Sequence, residues 1–94
     1  MTSARVVHHR QEPFDVYIGR PSKWGNPFRE GIDGTRSEVI AKYDSWLRNN
    51  PELLAQLPEL KGKVLGCWCH PKPCHGDVIV ALLREMEQDE FFTY

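Results

Sequence analysis

Val64-Leu65-Gly66-Cys67-Trp68-Cys69-His70-Pro71-Lys72-Pro73-Cys74-His75-Gly76-Asp77-Val78 is the stretch that decides how this chain folds. An apolar run enters it, a Pro-Lys-Pro loop stiffens its middle, and an amphipathic segment leaves from Asp77. That succession reads as strand, loop and helix, with Cys74 and His75 just ahead of the helix N-terminus. Backbone N–H groups without intrahelical partners point outward there, and the helix dipole adds partial positive charge. A thiol so placed favours its thiolate, the form that acts as nucleophile or metal ligand. All three cysteines of the chain and two of its four histidines fall between Cys67 and His75.

Beyond this stretch, Asp77 reads as an N-cap, and Val78, Ile79, Leu82, Leu83 and Met86 mark the buried face of a last helix. Phe91-Phe92-Thr93-Tyr94 then forms an apolar tail that packs on the body or meets a partner. Upstream, Arg5-Val6-Val7-His8 and Phe14-Asp15-Val16-Tyr17-Ile18 read as two strands, the second ended by Gly19. Thr35-Arg36-Ser37-Glu38 matches a capping box, and Val39, Ile40, Tyr43, Trp46 and Leu47 recur at helical spacing behind it. Asn49-Asn50-Pro51 ends that helix and starts another, with Pro51 at the favoured first position.

The order is thus strand, strand, loop, two helices, strand, loop, helix. It predicts a single small, three-layer-like α/β domain over residues 1–94, with a short, mostly parallel sheet of about three strands and three helices. The core is expected over about residues 5–88, with 89–94 as the tail. A strand, a helical excursion and a return strand make the second and third strands parallel through a right-handed crossover.

Composition narrows the function classes. At 94 residues the chain buries roughly 60–70% of its unfolded surface, enough for one core. No apolar run approaches the roughly 20 residues of a membrane span. The N-terminus lacks the apolar core of a signal peptide, so the expected compartment is the cytoplasm, where clustered thiols stay reduced. A formal net charge of −1 argues against coating nucleic acid by bulk electrostatics.

In a parallel arrangement the loop after Ile18 and the loop after Trp68 leave the same edge of the sheet, where open α/β sheets bind ligands. Gly19, Arg20, Lys23, Trp24, Gly25 and Asn26 in the first loop supply close backbone approach, charge, stacking and an amide. They are the expected ligand-binding residues, and Trp24 or Asn26 is expected to touch the Cys69–His75 loop. The competing reading places Trp24 and Phe28 in the core.

The strings Val16-Tyr17-Ile18-Gly19-Arg20, Trp24-Gly25-Asn26-Pro27-Phe28 and Gly66-Cys67-Trp68-Cys69 followed by Cys74-His75-Gly76-Asp77 resemble the small bacterial and phage proteins catalogued as domain of unknown function 4326. The resemblance covers roughly Val6 to Leu83. It implies a nucleotide-like ligand through the family's loose association with nucleotide-centred systems, and implies no mechanism. For a phage-encoded chain the compartment is the cytoplasm of the bacterial host.

Three readings of the cysteine loop stay open. Cys67, Cys69, Cys74 and His75 are four soft ligands of the kind that hold structural zinc, although C-x-C spacing and adjacent Cys74 and His75 suit one tetrahedral ion poorly. Alternatively, Cys69, Cys74 and His75 form a metal-free catalytic set for glycosidic or phosphoryl transfer on a nucleotide or nucleobase. In the third reading Cys67 and Trp68 are core, and the remaining thiols are buried small apolar groups. Cys74 is expected to be more reactive than Cys67. The leading function is therefore binding of a phosphate-bearing ligand, a nucleotide or nucleic-acid component, with catalysis left open. The rivals are a zinc-stabilised module gripping nucleic acid or a host protein, and a protein-directed effector using the apolar tail.

Overall fold

The computed structural model describes residues 4–92, with side chains through residue 87. Three strands, β1 (Arg5–His8), β2 (Val16–Tyr17) and β3 (Val64–Cys67), pair in the order β1-β3-β2, and both pairings are parallel. Val6 faces Leu65 from one side while Val16 faces Leu65 from the other. The helices are α1 (Arg36–Arg48), α2 (Pro51–Gln56), which runs into a 3-10 turn at Leu57–Leu60, and α3 (His75–Phe92). The expected single α/β domain with a small parallel sheet and three helices is what the chain forms.

The connection from β1 to β2 is shorter than a helix-bearing crossover. It spans residues 9–15 and carries Phe14 across β3 at Gly66, where an added Cβ would lie 2.7 Å from the Phe14 ring. Side chains alternate across a strand, so Gly66 faces away from its neighbours Leu65 and Cys67, which point into the core. The third layer is therefore this segment and not a further helix. Asp15 fixes its end, donating through its N–H to the Val64 carbonyl (2.8 Å) and accepting from the Val64 N–H on its carboxylate (2.8 Å). Phe14, read as part of the second strand, lies just outside it for this reason.

On the other face, α1 begins at the expected capping box. Glu38 N–H donates to Thr35 Oγ1 (3.3 Å) and Thr35 N–H donates to the Glu38 carboxylate (2.8 Å). Val39, Tyr43 and Leu47 recur every four residues and are buried. Asn50 caps α2 and Pro51 opens it, as the sequence predicts. Tyr43, Leu47, Leu57, Leu60, Leu65, Ile79 and Leu83 have at most 2% of their surface exposed and make one contiguous core. Full burial of an aliphatic side chain contributes about 1.5–3 kcal/mol each, so apolar contact holds the helices on the sheet. The solvent-screened Arg48–Glu85 ion pair between α1 and α3 adds register.

The start of α3 differs from expectation. The helix begins at His75, and Cys74 takes the N-cap position: its sulfur accepts from Gly76 N–H (3.3 Å). Asp77 still caps, but from the third helical position, accepting from the Cys74 N–H (3.0 Å). At its far end α3 carries the backbone through Phe92, so most of the expected tail is helical. Thr93 and Tyr94 lie outside the described residues. Among the described residues no helix is long and apolar enough to cross a membrane.

Candidate functional site

The carboxyl ends of β2 and β3 and the N-termini of α1 and α3 converge on a small cavity of about 140 Å³. Its wall includes Gly19, Arg20 and Asn26 from the first loop and Trp68, Cys69, Cys74 and His75 from the second. Glu30, Arg36 and Ile40 close the side nearest α1. The two loops line one cavity, and of Trp24 and Asn26 it is Asn26 that reaches its wall.

Each loop is shaped by short-range chemistry. Arg20–Pro21 and His70–Pro71 are both cis peptides. At Gly19 an added Cβ would sit 2.3 Å from Tyr17 Oη, so a side chain there would displace the tyrosine ring. At Gly25 it would sit 3.1 Å from the Arg20 Cα, so the loop closes on itself backbone to backbone. Asn26 uses both ends of its amide internally: Nδ2 donates to the Val39 carbonyl (3.1 Å) and Oδ1 accepts from Phe28 N–H (2.9 Å). It ties the first loop to α1.

His75 is 8% exposed. Its Nε2 lies 2.7 Å from the Ile18 carbonyl oxygen. A carbonyl can only accept, so Nε2 carries the proton and Nδ1 is left as the basic nitrogen. Burial holds the His75 pKa below its usual value, while the Ile18 carbonyl opposes the shift and nearby Arg20 adds to it. The ring is thus neutral near pH 7. Tyr43, packed edge-on 5.1 Å from this ring, is pushed up by burial and stays a phenol, donating to the Trp24 carbonyl (2.7 Å).

The three thiols divide their roles. Cys67 is 0% exposed and Cys74 3%, with sulfurs 3.5 Å apart. The contact with the Cys74 sulfur and the backbone N–H groups at His70 and Cys69 draw the Cys67 pKa down, although burial opposes this. Cys74 is pushed up, first by its contact with Cys67 and then by burial. The expectation of an exposed, activated Cys74 is corrected: the thiol lies under the helix start, where it serves as a cap. Cys69 is partly exposed and lines the cavity beside the Arg36 guanidinium, whose charge its sulfur stabilises.

Arg36 and Glu30 are residues the sequence reading missed. Arg36 Nη1 donates to the Pro73 carbonyl (3.1 Å) and Nη2 pairs with Glu30 (3.3 Å). One signal was present. Arg36 is the first residue of α1, and a cation there opposes its own helix dipole, so it gains nothing from the helix it begins.

Several expected residues lie elsewhere. Trp24 is 3% exposed and belongs to the core, so it has no face to offer a ligand. Lys23 turns towards α2, bonding Gln56 and approaching Glu59 at 4.0 Å. Trp68, placed in the core by one reading, is 51% exposed. Cys67, Cys69, Cys74 and His75 do not assemble as a zinc set. Among the described residues no three His, Cys, Asp or Glu side chains gather around a common point. The internal bonds explain why: Cys67 and Cys74 engage each other, Cys69 faces Arg36, and His75 is held by Ile18. A wider, open groove of about 700 Å³ runs outside α1 past Phe28, Lys42 and Trp46, with no thiol or imidazole on its wall.

Comparison with known proteins places these loops in a wider set. A protein of Enterobacteria phage T4, described as an uncharacterized 12.4 kDa protein in the nrdA-td intergenic region, is 35% identical over 91 residues, covering 93% of this chain and 83% of its own. An uncharacterized protein of Acanthamoeba polyphaga mimivirus is 35% identical over 98 residues, covering 85% of this chain and 75% of its own. No solved structure gives a significant match. The family model described as domain of unknown function 4326 matches residues 3–85, which includes both loops and the whole cavity wall, and the chain belongs to that family.

Proposed function

We propose that this protein binds a phosphate-bearing ligand, a nucleotide or a nucleic-acid component, in the cavity between its two loops. The observation that carries the reading is that two guanidinium-bearing residues, Arg20 and Arg36, line one small cavity at the N-terminus of α3. Guanidinium groups are donors whose fork geometry holds phosphate oxygens. Glu30 balances only part of this charge and orients Arg36. Pockets that swallow a whole small molecule run to about 300–1,000 Å³. A cavity of about 140 Å³ takes one compact group, and the rest of the ligand lies outside against the rim.

Catalysis at this site would use Cys69 and His75. Cys69 combines partial exposure with a place on the cavity wall beside Arg36, the access a nucleophile needs. His75, neutral with Nδ1 basic, has the form of a proton acceptor. The corresponding reaction class is glycosidic or phosphoryl transfer on the bound nucleotide. A zinc-held module is the weaker reading, because the four donors are committed to other partners.

Calorimetric titration with inorganic phosphate and nucleoside monophosphates tests the binding. A charge-assisted hydrogen bond is worth about 1.5–3 kcal/mol, so Arg36→Ala should weaken binding by roughly 10- to 150-fold. Arg20→Ala should also weaken it while leaving the Arg36–Pro73 contact in place. Unaltered affinity in both variants would remove the proposal's basis.

A further inference from the structure

We propose that Trp68 is the stacking platform for the base of a nucleotide whose phosphate enters the cavity. This rests on the anion-binding reading above and gives the ligand its second half. Three features of Trp68 converge. It lines the cavity that Arg20 and Arg36 also line, and at 51% exposure its indole borders solvent, whereas Trp24 is 3% exposed.

It is also held in place. The indole N–H donates to Tyr17 Oη (2.6 Å), and Tyr17 Oη–H donates to the Arg20 carbonyl (3.2 Å). This relay runs from the exposed ring into the loop that bears one of the cavity's cations. It depends on Gly19, where a Cβ would fall 2.3 Å from Tyr17 Oη. An isolated exposed tryptophan needs no explanation. One whose polar atom is satisfied beneath it, at the rim of the cavity, has the form of a rigid platform.

The ring's surroundings are those that suit a base. The Arg10 guanidinium carbon lies 4.6 Å from the ring centroid, and His9 leans on the indole at 4.1 Å with its plane 60° away. Arg10 is exposed, and among the described residues no carboxylate pairs with its guanidinium. A base therefore takes the place of this cation on the indole, and Arg10 closes over the base from outside. Aromatic rings and arginine planes are the two surfaces on which nucleobases stack.

The test titrates the full chain with inorganic phosphate, a nucleoside monophosphate and a short 5′-phosphorylated single-stranded oligonucleotide, using wild type, Trp68→Ala, Trp68→Phe and Arg36→Ala. Stacking of one base predicts that Trp68→Ala loses about 5- to 150-fold more affinity for the nucleotide than for phosphate, with Trp68→Phe losing less. Arg36→Ala should weaken all three ligands. Tighter binding of the oligonucleotide than of the monophosphate supports a strand end as the source, and equal binding supports a free nucleotide. Nucleotide affinity no greater than that of phosphate, or unaltered in Trp68→Ala, would overturn the platform while leaving the anion site standing. A wild-type chain that binds neither phosphate nor nucleotide would overturn both.

Discussion

Replacing Gly76 by alanine tests how the site is attached to the fold. Gly76 is the second residue of α3, and a Cβ built there would lie 2.8 Å from Val6 Cγ2 and 2.9 Å from Ile18 Cδ1. Both neighbours are buried, at 9% and 0% exposure, and both are β-branched with a stiff χ1, so the packed interior leaves the methyl little room. In an open helix the change would stabilise the chain by roughly 0.5–1 kcal/mol through backbone entropy. Forcing a methyl into a packed interior costs about 1–3 kcal/mol. The crowding term dominates, and a net destabilisation of up to about 2.5 kcal/mol follows from the difference. For a domain of this size each kcal/mol moves the thermal midpoint by about 4–8 °C. Urea and thermal unfolding followed by circular dichroism provide the measurement. The shift should also lengthen the His75–Ile18 hydrogen bond, visible in the imidazole nitrogen resonances. An alanine variant more stable than wild type would show that α3 does not seat on Val6 and Ile18, and the cavity geometry would go with it.

Two further perturbations address the site's titratable groups. His75 has its folded-state pKa held below the unfolded value by burial, so the folded state binds fewer protons as pH falls. Its contribution to stability is complete above about pH 6.5 and declines as pH drops from there towards the depressed folded value. Unfolding free energies measured from pH 7.5 to 5 should show this slope, and His75→Gln should flatten it; an identical slope in the variant would refute the buried neutral assignment. For the thiols, timed alkylation of native protein read by peptide mass should label Cys69 first, because Cys67 and Cys74 are 0% and 3% exposed. Cys74 labelling ahead of Cys69 would contradict the capped helix start, and labelling of all three that quickens after chelation would show a metal holding them.

Much of the architecture was legible because local signals agreed with the tertiary outcome. Thr35 with Glu38, Asn50 with Pro51, and the spacing of Val39, Tyr43 and Leu47 each specify a helix boundary or face without reference to the rest of the chain. The meeting of the two loops at one cavity followed from parallel topology alone. What was not legible depends on partners distant in sequence. Trp24 and Trp68 exchanged roles: Trp24 is packed under α1 with its carbonyl bonded to Tyr43, while Trp68 is held outward by Tyr17, 51 residues earlier. Cys74 looked like an exposed loop thiol because Pro73 and Gly76 flank it, yet Cys67 and the α3 backbone draw its sulfur inward. Arg36 was read only as part of a capping string, and its contact with Pro73 crosses 37 residues. Periodicity and spacing do not report such pairings.

The most direct measurement of the central claim is an amide chemical-shift titration of the isotope-labelled chain with a nucleoside monophosphate. Binding in the cavity predicts saturable shifts concentrated at Arg20, Asn26, Arg36 and the Trp68–His75 segment, together with the Trp68 indole N–H, and little movement along the outer groove at Lys42 and Trp46. No saturable shifts, or shifts confined to the outer groove, would contradict it.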